Sequence, residues 1–70
     1  MATVAEIQAQ LDPQGTNTKI RIIKKFTVGT ADTFYCIGGV VVPGKAKWCA
    51  TTNTDSAATQ AAAITSAMTA

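Results

Sequence analysis

The sequence predicts an α+β domain of order α-β-β-β-α: a three-stranded antiparallel meander with two helices packed on one face. Three observations carry this. The two ends of the chain repeat apolar residues at helical spacing, whereas 19–28, 33–42 and 45–52 alternate with period two or run through β-branched and aromatic residues. The segments "DPQG", "GTAD" and "PG" punctuate these runs where turns are needed. Seventy residues, 47% of them apolar, make a single domain over 1–70 with a small core.

The first helix is expected over 3–11. Val4, Ile7 and Leu11 recur on one side of it. Thr3 followed by Glu6 has the form of a capping box, in which each residue's side chain satisfies the other's backbone N–H. Pro13 is expected to end the helix, because it cannot continue it and biases Asp12 away from the helical region. In the first strand, over 19–28, "KIRIIKKF" holds four of the six basic residues. A turn at 29–32 leads to the second strand, "TFYCIGGVVV". Pro43 and Gly44 suit a second turn, because proline fixes φ and glycine accepts a positive one. "KAKWCATT" is the third strand. The tail carries Ala57, Ala61, Ile64 and Met68 as a thin apolar stripe, with Asn53 or Thr54 as the cap and Asp55 at the positive end of the helix dipole.

These turns set the faces of the sheet. Centring the second turn on Pro43 and Gly44 places Val41 opposite Ala46, Gly39 opposite Trp48 and Ile37 opposite Ala50. The first turn places Phe26 opposite Tyr35, Ile22 opposite Gly39 and Ile20 opposite Val41. Both registers gather Ile20, Ile22, Phe26, Tyr35, Ile37, Val41, Ala46, Trp48 and Ala50 on one face, which is expected to lie under the helices. Lys24 fits that face badly; it either snorkels to water at an edge or is moved off by a β-bulge near Ile23. The outer face then holds Lys19, Arg21, Ile23, Lys25, Phe34, Val40, Val42, Lys45 and Lys47, together with both cysteines. Five positive charges could not be desolvated under two nearly uncharged helices, which is why this side is expected to face solvent. On this phase Trp48→Ala costs about 3–5 kcal/mol and Val40→Ala very little.

Composition narrows the chemistry. There is no histidine, and the four carboxylates are spread singly along the chain. No phosphate loop, nucleophile elbow or base-activated serine is present. An enzyme, a cofactor and a metal site are therefore not expected; Cys36 and Cys49 are too few for structural zinc. In this register the two cysteines sit diagonally on the outer face, ~7–8 Å apart, which favours reduced thiols over a disulfide. A turn at Val42 and Pro43 would instead set them opposite and permit a bond. No run approaches a membrane span. "MATVAEIQAQ" has neither the basic nor the apolar region of a secretory signal, so synthesis in the cytoplasm is expected.

From Phe34 through "GGVV…KWCATTNTDSAATQAAAI", the layout resembles the second and third strands and last helix of the double-stranded-RNA-binding domain. The resemblance implies that family's fold over the whole chain. Where the family opens its last helix with a Lys-Lys-x-Ala-Lys phosphate-binding run, this chain reads Asp55-Ser56-Ala57-Ala58-Thr59. In composition the chain also resembles small accessory structural proteins of tailed-phage virions, such as capsid decoration or tail proteins.

Only 14% of residues are charged and the net charge is +2, so the surface is largely Thr, Ser, Gln and Ala and associates readily. The expected function is that of a non-enzymatic structural protein. It would bind other protein subunits, as a homo-oligomer or as an accessory component of a phage virion. Its expected interface is Ile23, Phe34, Val40 and Val42 rimmed by Lys19, Arg21, Lys25, Lys45 and Lys47. The alternative is a small nucleic-acid-binding module using the same basic face, for which only Phe34 offers an aromatic ring.

Overall fold

The computed structural model describes residues 2–13, 20–38 and 46–69. The order is α1 (Val4–Leu11), β1 (Arg21–Val28), β2 (Ala31–Ile37), β3 (Ala46–Thr52) and α2 (Ala57–Thr69). The three strands form one antiparallel sheet in the order β1-β2-β3. Helix α1 lies against β1, α2 lies against β3, and the helices touch each other. This is the expected α+β layout.

Local chemistry explains the elements. The capping box is present: Glu6 N donates to Thr3 Oγ1 (3.1 Å) and Thr3 N to Glu6 Oε1 (2.8 Å). The hydrogen bonds from Thr3, its backbone N–H foremost, hold the Glu6 carboxyl below its ordinary pKa. At the other helix the cap is Ser56, not Asn53 or Thr54: Thr59 N donates to Ser56 Oγ (3.2 Å). Asn53 is occupied elsewhere, donating through its side chain to Gly29 O (3.1 Å) and through its backbone to Thr30 O (2.7 Å). The first turn is tighter than expected. Val28 pairs with Ala31, leaving only Gly29 and Thr30 as the loop. Gly29 takes a φ of +61° while Thr30 does not turn positive, the pattern of a type II′ hairpin turn.

The main correction concerns which face is covered. The core consists of Ile7, Leu11, Ile20, Phe34, Cys36, Cys49, Ala61, Ile64 and Met68, with Val4, Ile22 and Ala57 packed against it. Phe34 and both thiols therefore lie under the helices, while Phe26, Ile37, Ala46, Trp48 and Ala50 are exposed. The bulge is the physical reason. Ile22 pairs with Cys36 and Lys24 with Tyr35, so Ile23 is the extra residue. One inserted residue flips every side chain on one side of it. Ile20 and Ile22 move to the face of Phe34, Cys36 and Cys49, while Lys24 stays with Phe26, Tyr35 and Trp48 on what is the open face.

The cations divide accordingly. Arg21 and Lys24 are on the open side, and only Lys25 and Lys47 among the described residues are on the covered side. Lys25 is solvent-exposed on edge strand β1. Lys47 is half-buried and its Nζ donates to Ala67 O (3.0 Å). That carbonyl belongs to the last turn of α2, where no helical N–H follows and the dipole is negative. The desolvation penalty expected for this face is thus avoided rather than incurred.

The register of the second hairpin also differs. Ile37 pairs with Ala46 and Tyr35 with Trp48, and β2 ends at Ile37 instead of running to 42. Gly39, Val41, Pro43 and Gly44, on which the expected pairs and turn were centred, lie outside the described residues.

Candidate interaction surface

The open face can be read row by row across β1, β2 and β3. The rows are Arg21–Ile37–Ala46, Lys24–Tyr35–Trp48, Phe26–Thr33–Ala50 and Val28–Ala31–Thr52. Three aromatic rings meet on it. Trp48 and Phe26 approach edge to face with centroids 5.3 Å apart, reaching across the small Thr33 between them. Trp48 and Tyr35 are tilted neighbours at 5.0 Å. Phe26 is 49% exposed and Trp48 48%, and Ile23, Val28 and Ile37 add further exposed apolar surface. No strand carboxylate stands on this face, since Asp32 points under the sheet; Asp12, at the end of α1, reaches Arg21 at the edge of the face.

Among the described residues, the expected interface is divided between the two faces of the sheet. Phe34 is 0% exposed and belongs to the core. Lys47 reaches the end of α2, and Lys25 stands across from Phe34 on the covered side. Arg21 is on the open face, 3.7 Å from Asp12. Ile23 is exposed at the bulge. Lys19, Val40, Val42 and Lys45 lie outside the described residues. Reading from sequence placed Phe26, Tyr35 and Trp48 together correctly but took them for core. The misfit of Lys24 was the signal that could have separated them from Ile20 and Ile22.

Under the hairpin end of the sheet is a buried polar cluster. Asp32, 1% exposed, accepts from Thr27 Oγ1 (2.6 Å) and from Gln60 Nε2 (3.2 Å). Gln60 Nε2 also donates to Thr51 Oγ1 (2.8 Å), and that hydroxyl donates to Asp32 O (3.2 Å). Burial works to raise the Asp32 pKa. The bonds from Thr27 and Gln60, the Lys25 charge and Asn53 together outweigh it and hold the carboxyl below its ordinary value. Gln60 Oε1 is buried without a hydrogen-bond partner, because turning the amide over would aim that oxygen at the carboxylate. The cluster ties α2 to β2 and β3 and offers no open coordination site; no group of metal-ligating residues occurs among the described residues.

Cys36 and Cys49 are diagonal neighbours, with Phe34 opposite Cys49 and Lys47 opposite Cys36. No disulfide joins them. Burial, with a smaller part from Cys49, pushes the Cys36 pKa up to about 12, so this thiol is a small core hydrophobe with no nucleophilic role near neutral pH. No helix among the described residues is long and apolar enough to cross a membrane.

Neither a family model, nor a curated protein, nor a solved structure matches this chain.

Proposed function

We propose that the chain is a non-enzymatic structural protein that joins other protein subunits through the open face of its sheet. The observation that carries this reading is the cluster of Phe26, Tyr35 and Trp48, left half-exposed in a domain whose core is built on the opposite face. Aromatic anchors with few charges among them are what the centre of a protein interface is made of. The low charge of the whole chain suits a protein held in an assembly. An accessory place in a phage particle, on the capsid or in the tail, is the setting its composition resembles. The test is mass spectrometry of purified particles, with the Trp48→Ala variant expected to be lost from them. Absence of the wild-type chain from every such particle removes the phage setting. A Trp48→Ala chain retained as well as wild type removes the face.

A second reading rests on Lys24, which stands in the same row as Tyr35 and Trp48. A cation beside exposed rings is the pattern that binds a single nucleic-acid strand, phosphate on the cation and base on the ring. It calls for binding that falls with salt by roughly 0.7 log units per log unit of salt for each phosphate contacted. Lys24→Gln should lower that slope, and no binding at low salt ends this reading.

A further inference from the structure

Resting on the reading of the chain as a protein that joins subunits, we propose that the outer edge of β3 takes an extended segment of a different protein as a fourth strand. The main chain carries the argument. Val28 and Ala31 flank a two-residue loop, so they exchange both main-chain bonds and the ladder alternates from there. On β2, Asp32, Phe34 and Cys36 then turn their N–H and C=O toward Thr51, Cys49 and Lys47 of β3. Ala46, Trp48 and Ala50 therefore aim theirs away from the sheet. None of these groups has a hydrogen-bond partner among the described residues. The open row closes at Thr52, whose carbonyl accepts from Asp55 N (3.1 Å).

The two edges of the sheet are built differently. At β1, Gln8 occupies Ile20 O and Ile22 N, the bulge at Ile23 breaks the repeat, and Lys24 and Lys25 follow. Such devices keep an edge from pairing. Strand β3 has no bulge and no proline. Its single cation, Lys47, is turned under the sheet to Ala67 O. Trp48 leans inward too. Its ring centroid is 5.3 Å from that of Phe26, although two strand spacings, about 9–10 Å, separate the two main chains. The outer flank of β3 is left clear.

The same geometry selects the occupant. Only an extended main chain repeats donors and acceptors at the spacing of this edge. A second copy of the chain does not fit. Its β1 edge is guarded, and its β3 edge would bring its own α2, which lies against β3. The two helices would then stand about one strand spacing, ~4.8 Å, apart, where packed helices need ~8–10 Å. An arm or tail of another subunit, with no helix beneath it, avoids that clash. Its residue opposite Ala50 stands next to the Trp48 ring, which favours an apolar side chain there.

Nuclear magnetic resonance of the full chain tests this with a capped seven-residue peptide of alternating threonine and valine. The amide protons of Trp48 and Ala50 should exchange fast in the free chain and roughly tenfold more slowly with about 1 mM peptide. Those of Lys25 and Thr27, which face outward at the β1 edge, should not change. The same peptide N-methylated at every amide should have no effect. Ala50→Pro deletes an outward N–H that the ladder to β2 does not use, a change that edge strands tolerate. Ala50→Lys adds a guarding charge instead. Each should weaken peptide binding roughly tenfold and leave far-UV circular dichroism unchanged. Trp48 and Ala50 amides that are already protected in the free chain, or that the peptide leaves unchanged, overturn the proposal. Protection that rises with the concentration of the chain alone makes the occupant a second copy and overturns it too. On particles, Ala50→Pro should be lost. If it is retained while Trp48→Ala is lost, the edge is excluded and the open face stands as the interface; if both are retained, both readings fall.

Discussion

The covered and open faces of the sheet are made by the same three strands, and each takes alternate residues. On the covered face the largest strand side chain is Phe34, flanked by Cys36 and Cys49, with Asp32 and Thr51 buried beside them. On the open face stand a tryptophan, a tyrosine and a phenylalanine in mutual contact. The larger rings are on the solvent side. The two helices explain this. Helix α2 covers the sheet with Ala57, Ala61, Ile64 and Met68, and α1 with Val4, Ile7 and Leu11. Such short helices close over thiols and one phenyl ring at near-crystalline density, whereas an indole and a phenol beneath them would hold them off the sheet. In a domain this small, burial follows what the helices can cover more than which side chain is most hydrophobic.

The largest expected effect separates the two faces directly. Phe34→Ala opens a cavity in the core and should cost about 3–5 kcal/mol, as much as a domain of this size possesses. Trp48→Ala removes contacts with Phe26 and Tyr35 from a half-exposed site and should cost only about 1–2 kcal/mol. Urea unfolding followed by circular dichroism measures both. Equal losses would mean that the open aromatic cluster acts as a second core.

The next effect concerns the polar part of the covered face. Asp32→Ala deletes the acceptor for Thr27 and Gln60 and should cost about 2–3 kcal/mol. The same carboxylate makes stability depend on acid. Its folded pKa is depressed below the ordinary 3.8, so its contribution is complete above that value and is lost as pH falls through the folded one. The urea midpoint should drop between about pH 5 and pH 2. Glu6, also depressed, adds loss of the same sign at the exposed cap. The drop should shrink in Asp32→Asn and, by a smaller amount, in Glu6→Gln. An acid profile unchanged in Asp32→Asn would place the titration elsewhere.

Much of this was legible in the sequence. The element order, the Thr3–Glu6 box and the stripes of both helices follow from spacing alone. So does the fact that Phe26, Tyr35, Ile37 and Trp48 share a face. Which face the helices cover was not legible. Alternation of period two sorts residues into two sets but does not say which set is inside; that was decided from charge, and the charge count was wrong. A single extra residue, Ile23, carried Ile20 and Ile22 to the other set, and nothing marks a bulge there except the awkward Lys24. Lys47 looked impossible to bury because its partner, a main-chain carbonyl at Ala67, has no signature in side-chain chemistry. Asp32 read as a turn residue for the same kind of reason: its partners Thr27, Thr51 and Gln60 are ordinary polar residues far apart in the chain.

Smaller effects belong to the β1 edge, where the two faces meet. Gln8 stands in for a neighbouring strand there. Its Nε2 donates to Ile20 O and its Oε1 accepts from Ile22 N, both at 2.9 Å. Gln8→Ala leaves both main-chain groups open at an edge that water reaches only in part, and should cost about 1–2 kcal/mol. The amide proton of Ile22 should then exchange with solvent at least tenfold faster, with little change at Tyr35 in the central strand. The ion pair between Arg21 and Asp12 lies just beyond, with both side chains more than half exposed. Arg21→Gln should therefore change stability by no more than about 0.5 kcal/mol, because solvent and salt already screen the pair. It also removes one of the two cations that the described residues place on the open face. If that face binds another protein subunit through its rings, assembly should be almost unaffected by the substitution and only weakly dependent on salt. If the face binds a nucleic-acid strand, the same substitution should weaken binding and flatten its salt dependence. Measuring subunit assembly and oligonucleotide binding of Arg21→Gln at two salt concentrations thus separates the two occupants with a change that leaves the fold intact.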